Sequence, residues 1–153
     1  AAIQSTDGAA SHSAEAVRHR IKAMIDAESA DGDVLSDDRI VASDFEVHGG
    51  TAAGRALLDR PDRPRAIFAV SDTIAIGVLG VARDLGLRIP DDLALIGYND
   101  IPVAAQLPVP LTTVRSPARE IGETAVRGLL DLAARRNVES RRLPVELMVR
   151  GST

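Results

Sequence analysis

The chain is expected to be an α/β protein, a three-layer α/β/α arrangement on a mostly parallel sheet of about five strands. Three observations lead there. Residues 66–70 and 93–97 are unbroken apolar runs of strand length, the first stopped by Ser71-Asp72 and the second by Tyr98-Asn99-Asp100. Runs that are apolar at every position suit strands buried on both faces, as in parallel sheets. Between them Ile74, Val78, Val81, Ala82 and Leu85 recur at helical spacing, with Ser71 or Asp72 placed to cap the start and Gly86 to end it. A right-handed crossover then brings Ser71 and Asn99 to one carboxyl edge of the sheet, where open α/β sheets bind their ligands.

The remaining elements follow in order. Ala1-Ala2-Ile3 reads as the tail of a strand, abrupt enough to suggest a piece of a longer chain, and a polar loop runs over 4–13. Over 14–27, Val17, Ile21, Met24 and Ile25 share one helical face, with Arg18, Arg20 and Lys22 directed partly or wholly away from it. Residues 31–38 form a surface turn, 40–43 a short strand and 47–58 a helix. The glycines of that helix, Gly49, Gly50 and Gly54, weaken it intrinsically and point to close packing or to a ligand approaching its start. Pro61 and Pro64 end it. After the central unit, Pro102, Pro108 and Pro110 cut 101–114 into irregular chain with a short extended run at 111–114. Ser116-Pro117 predicts a hydroxyl-capped helix whose apolar face is Ile121, Ala125, Leu129 and Leu132, with Glu123 and Arg127 as an i,i+4 pair. A charged turn over 135–142 leads to a last strand over 143–149, placed at a sheet edge by Pro144.

Composition narrows the function classes. The formal net charge of −4 gives no support for a nucleic-acid surface on this domain, and the absence of cysteine excludes a disulfide scaffold, a thiol nucleophile and sulfur-ligated metal. No apolar stretch reaches the length of a membrane span. No glycine-rich dinucleotide or nucleotide-triphosphate fingerprint follows a predicted strand. His12, His19 and His48 form no metal-binding pattern, and no nucleophile elbow surrounds Ser71. No cofactor and no catalytic residue is therefore expected. What remains is a polar ring suited to a small ligand: the Ser71 hydroxyl, the Asn99 amide, the acceptors Asp72 and Asp100, the guanidinium forks of Arg18 and Arg20, and Phe45 to cover an apolar face. Asp72 also fits a helix cap and Asp100 the turn before Pro102.

The stretch RPRAIFAVSDTIAIGVLGVARDLGLRIPDDLALIGYNDI, with PLTTVRSPAREIGETAV and LPVELMVRGST, resembles the effector-binding region of the lactose/galactose repressor (LacI/GalR) family of bacterial transcription regulators. The likeness spans nearly the whole chain and is most specific over 63–126 and 143–153. It implies a periplasmic-binding-protein-like subdomain, with residues 1–153 as the C-terminal part of a core whose two subdomains enclose an effector. The family's effector-contacting arginine falls on Arg20, its covering aromatic on Phe45, the asparagine of its ND motif on Ser71 beside Asp72, and the first aspartate of its GYDD on Asn99 beside Asp100. Two usual groups are thus replaced, which disfavours a typical free sugar and makes a phosphorylated or anionic metabolite more acceptable beside Arg20.

The resemblance further implies that the helix within 117–136 packs on the other subdomain or on a partner copy, leaving an apolar stripe on this one. It implies a homodimer formed near residues 74–85 and 101–110, with Ala75, Leu79 and Val103 as candidates for that surface or, equally, for an ordinary core role. The function expected is a non-enzymatic, cytoplasmic effector-sensing and dimerisation module, contacting operator DNA only through a separate N-terminal domain and no membrane. A periplasmic sugar-binding protein of transport or chemotaxis is the alternative.

Overall fold

The computed structural model describes residues 2–5 and 36–153. The helix expected over 14–27, with Arg18, Arg20, His12 and His19, lies outside the described residues. A six-stranded sheet organises the rest: β1 (Ala2–Ser5), β2 (Ile40–Ser43), β3 (Ala66–Ala69), β4 (Ala94–Tyr98), β5 (Thr112–Arg115) and β6 (Glu146–Met148). Their order across the sheet is β2-β1-β3-β4-β5-β6. The first five are parallel and β6 alone runs antiparallel, at the edge beside β5, where Pro144 had placed it. The strand order reverses between β1 and β3. That is the switch point of a doubly wound sheet, and the crevice at the carboxyl ends of its strands is the natural ligand position.

Helix α1 (Val47–Leu58) joins β2 to β3, and α2 (Asp72–Asp84) joins β3 to β4. The expected caps of α2 are both present. The Ser71 hydroxyl accepts from the Thr73 amide at 3.1 Å, and Gly86 takes the left-handed backbone (φ 68°) that ends the helix. Leu57, Ile74, Val78, Val81, Leu93, Leu95 and Leu111 are fully buried and form the core between the helices and the sheet.

The glycines of α1 serve close packing. A Cβ built on Gly50 would run into the Ile74 carbonyl of α2, and one built on Gly77 into the Val47 carbonyl of α1. Each helix supplies a glycine where the other presents backbone. Of its two readings, dimer surface or core, Ala75 takes the core one: it is fully buried, because the helix is covered on that side as well as on the sheet side. Leu79 is half-buried and Val103 is exposed.

The C-terminus closes the opposite edge of the sheet. Ser152 is fully buried: its hydroxyl donates to the Leu95 carbonyl at 2.6 Å and accepts from the Thr112 amide at 2.8 Å, while its own carbonyl accepts from the Leu95 amide at 2.8 Å. One residue thereby stitches β4 to β5 at the start of their paired stretch.

Helix α3 (Ala118–Ala133) connects β5 to β6 and stands apart from this core. None of its residues is buried, and Ile121, Val126, Leu129, Leu130 and Leu132 are exposed, so the apolar stripe read from the sequence is present and bare among the described residues. Two local expectations for α3 change. Ser116 does not cap it through its hydroxyl: Pro117 occupies the cap position, and Ser116 contributes its carbonyl, which accepts from the Ala118 amide at 2.8 Å. Glu123 pairs with Arg119 at 2.9 Å, the other i,i+4 neighbour, rather than with Arg127.

Candidate functional site

Every parallel strand delivers its last residues to one edge, and the candidate residues collect there. Phe45 follows β2, Ser71 follows β3, and Asn99 and Asp100 follow β4. Phe45 is half exposed at the start of α1. The turn beneath it is fixed by Asp44, which accepts from the Glu46 amide at 3.0 Å and pairs with His48 at 2.9 Å. Ser71 is buried down to a small exposed part, and with its lone pair committed to the Thr73 amide its O–H remains to donate.

Asn99 is exposed and carries a left-handed backbone (φ 105°), as does Asp100 (φ 56°). Asparagine and aspartate are the non-glycine residues that tolerate this region best. The turn is held from below at three successive amides. The Asn99 amide donates to the Val114 carbonyl at 2.8 Å, that of Asp100 to the Thr113 hydroxyl at 3.3 Å, and that of Ile101 to the Asp72 carboxylate at 2.8 Å.

Asp72 has no exposed surface. Its second oxygen accepts from the Thr113 hydroxyl at 2.6 Å, so Thr113 relays between the Asp100 amide and this carboxylate. Asp72 stands at the first turn of α2, where the helix dipole favours a negative charge. It therefore reaches the site through the turn it anchors, and its carboxylate faces inward. Gly97 makes room for it: a Cβ there would collide with an Asp72 oxygen.

Asp100 is also turned inward. Its side chain is only 8% exposed, with one oxygen accepting from Arg150 at 2.6 Å and the other from Arg115 at 2.7 Å. Burial alone would raise its pKa, but the hydrogen bonds and charges of Arg150 and Arg115 outweigh that and hold the carboxyl below the ordinary carboxylate range. A depressed folded-state value means that this carboxylate's stabilisation is present above the unfolded pKa, near 4, and is lost as acid carries the pH down through the folded value. Asp38, held low by Ser36 and Arg60, and Asp92, lowered to about 2 by Arg88, shape the same acid limb. The informative comparison is thus between the native chain and Asp100→Asn. The variant's melting temperature should fall less steeply between roughly pH 4 and 2, measured by thermal unfolding across that range.

A cleft of about 830 Å³ opens beside this turn, lined by Asn99, Asp100, Arg115, Arg119, Glu120 and Arg127 among others. Among the described residues no group of three or more His, Cys, Asp or Glu side chains could hold a metal ion. Ser71 serves as a helix cap, and the one described histidine, His48, is engaged with Asp44. The described edge offers hydroxyl, amide and aromatic groups, a chemistry suited to recognising a small ligand. Thr113, Arg115, Arg150 and Gly97 belong to the arrangement and had no local signal in the sequence.

Residues 7–153 match the family model described as a periplasmic binding protein-like domain. The chain belongs to that family. Within it the chain is a LacI/GalR-type effector-binding domain. It is 39% identical over 120 residues to the ribose operon repressor of Escherichia coli (strain K12), covering 77% of this chain and 36% of that protein. A transcriptional regulator LacI from Bacillus cereus subsp. cytotoxis superposes with a TM-score of 0.87 at 26% identity, over 100% of this chain and 53% of the other. The transcriptional regulator CelR in complex with cellobiose superposes with a TM-score of 0.78 at 33% identity, over 99% of this chain and 46% of the other. The LacI/GalR-type domain spans well under half the length of the curated relatives it matches. Those relatives are repressors, which favours the regulator reading over a transport or chemotaxis protein. No described helix is long and apolar enough to cross a membrane.

Proposed function

We propose that this domain is the sensory and dimerising part of a cytoplasmic LacI-type regulator that holds a small effector at the edge formed by Phe45, Ser71 and Asn99. Arg20 and Arg18, which the family resemblance assigns to the effector, complete the proposed contacts. The observation that carries the reading is the Asn99 turn, an exposed side-chain amide at a left-handed position whose own backbone amide is tied to Val114 and whose next two amides are tied to Thr113 and Asp72. Such a fixed turn supports a recognition role for the exposed Asn99 side chain.

The ligand class follows from what faces it. The complex of a related regulator with cellobiose supports a hydroxyl-rich sugar as one candidate class. Asp100 is paired with Arg115 and Arg150, so its charge opposes a phosphorylated or anionic metabolite little, and Asp72 directs its carboxylate inward. The bare stripe of α3 packs on the second half of the effector core, supplied by a longer chain, and operator DNA is reached through a separate N-terminal domain. The homodimer forms through the outer face of α2 and 101–110. There Ile76, Leu79, Leu87, Ile89, Leu107 and Val109 line an apolar groove of about 660 Å³. Regulation is a population shift, in which a ligand bridging two subdomains favours one relative orientation of the attached DNA-binding heads.

The test is calorimetry on the intact protein with sugars, sugar phosphates, nucleosides and small carboxylates. Asn99→Ala should weaken the binding compound roughly 10- to 100-fold, the loss of one well-made buried hydrogen bond, with operator affinity of the free protein unchanged. Unaltered binding in Asn99→Ala would remove this site assignment.

A further inference from the structure

Asp100 was an effector-contact candidate on sequence grounds, yet its geometry suits a different task. Both oxygens are taken by arginines, and its side chain is nearly enclosed. The positions of those arginines are informative. Arg115 is the last residue of β5, from which the chain leaves the sheet for α3, and Arg150 lies just past β6, by which it returns. β5 and β6 are the two strands between which α3 is inserted, and the arginines sit at or just past their C-terminal ends. The same turn is bonded to β5 by backbone as well, through the Asn99 amide to Val114 and the Asp100 amide to the Thr113 hydroxyl.

The two connecting strands are also tied to each other. Arg115 and Glu146 are register partners of the β5–β6 pair, and the Arg115 guanidinium reaches the Glu146 carboxylate at 3.4 Å. Arg150 uses its other terminal nitrogen on the Leu111 carbonyl at 2.8 Å, at the start of the β5 segment. One carboxylate thus sits where the exposed Asn99 turn, the outgoing strand and the returning strand meet. Charge-assisted bonds of this kind are directional and strengthen when shielded from water. Asp100 sits on a left-handed backbone, so a displacement of Asn99 rotates the adjoining peptide and bears directly on both arginines.

We infer that Asp100 is a positioning residue that makes the Asn99 turn and the two strands flanking α3 move as one unit. The inference rests on the effector reading for its purpose, since a ligand touching Asn99 would act through this carboxylate on the segments that lead to the other half of the core. The coupling itself is a property of the three segments and can be measured without any effector.

The experiment is amide hydrogen exchange on the intact protein, comparing native chain, Asp100→Asn, Asp100→Glu and Arg115→Ala. Asp100→Asn should accelerate exchange at least tenfold at 99–101, 113–115 and 146–148 together, leaving α1 and α2 at native rates. Asp100→Glu, which keeps the charge, should recover most of the protection. Arg115 is about half exposed, so Arg115→Ala keeps the fold and should accelerate 99–101 and 146–148 even where Asp100→Asn folds poorly. Acceleration confined to 99–101 would show a purely local turn and overturn the coupling. A uniform rise across α1 and α2 would show a general loss of stability and overturn it equally. The effector reading fails by a separate result, unaltered calorimetric binding in Asn99→Ala.

Discussion

Gly97→Ala is expected to destabilise the domain by about 3 kcal/mol and to displace the turn that presents Asn99. The reason is a three-body fit at the end of β4. A methyl group on residue 97 would overlap an Asp72 carboxylate oxygen and press on the Leu111 side chain, 2.9 Å away. A long exposed side chain would swing aside at little cost. Asp72 cannot, being short, fully buried, and bonded at both oxygens to the Thr113 hydroxyl and the Ile101 amide. Moving it leaves those donors without partners inside the protein, at roughly 1 to 3 kcal/mol each where no water replaces the carboxylate. For a chain of this size the loss should appear as a fall in melting temperature of about 10 °C. The double variant with Asp72→Ala separates the mechanism from a general intolerance of alanine. With the carboxylate gone the methyl has room, so the two changes together should cost clearly less than their sum; strict additivity would refute the clash.

The unit from β3 to β4 was legible in the sequence because each of its signals is local. Two apolar runs, a helical period, a serine at the cap and Gly86 past the end were all found in place. The direction in which Asp72 and Asp100 face was not legible. An aspartate in the first turn of a helix reads the same whether it meets a ligand or a core donor, and here the donors are distant: Thr113 is 41 residues from Asp72 and Arg150 is 50 from Asp100. Similar limits explain the smaller differences. Arg119 and Arg127 stand at equal spacing from Glu123, so spacing could not choose between them. Ala75 lies on a helix covered on two sides, where periodicity alone marks only the sheet-facing side.

The second large effect is expected where α1 and α2 touch. Gly77→Ala should destabilise the domain by roughly 2 to 4 kcal/mol, because the added methyl meets backbone of α1, the Val47 carbonyl and the Thr51 amide, and backbone cannot change rotamer to escape. The helices would have to separate, opening space around Ile74, Val78 and Val81, which are fully buried between them and the sheet. Gly80, one turn further along the same helix, provides the contrast. A Cβ there meets nothing within 4 Å, so Gly80→Ala should stabilise α2 by roughly 0.5 to 1 kcal/mol through the usual preference of alanine over glycine in a helix interior. Urea unfolding of the two variants tests both signs at once. If helix propensity governed both positions, both alanines would stabilise. If packing governs Gly77, the midpoints move in opposite directions, and Gly50→Ala, which faces the Ile74 backbone from the other helix, should fall with Gly77→Ala. A site edge that takes Ser71 from the start of α2 and Phe45 from the start of α1 depends on this spacing, so Gly77→Ala should also weaken effector binding without touching a ligand-facing residue.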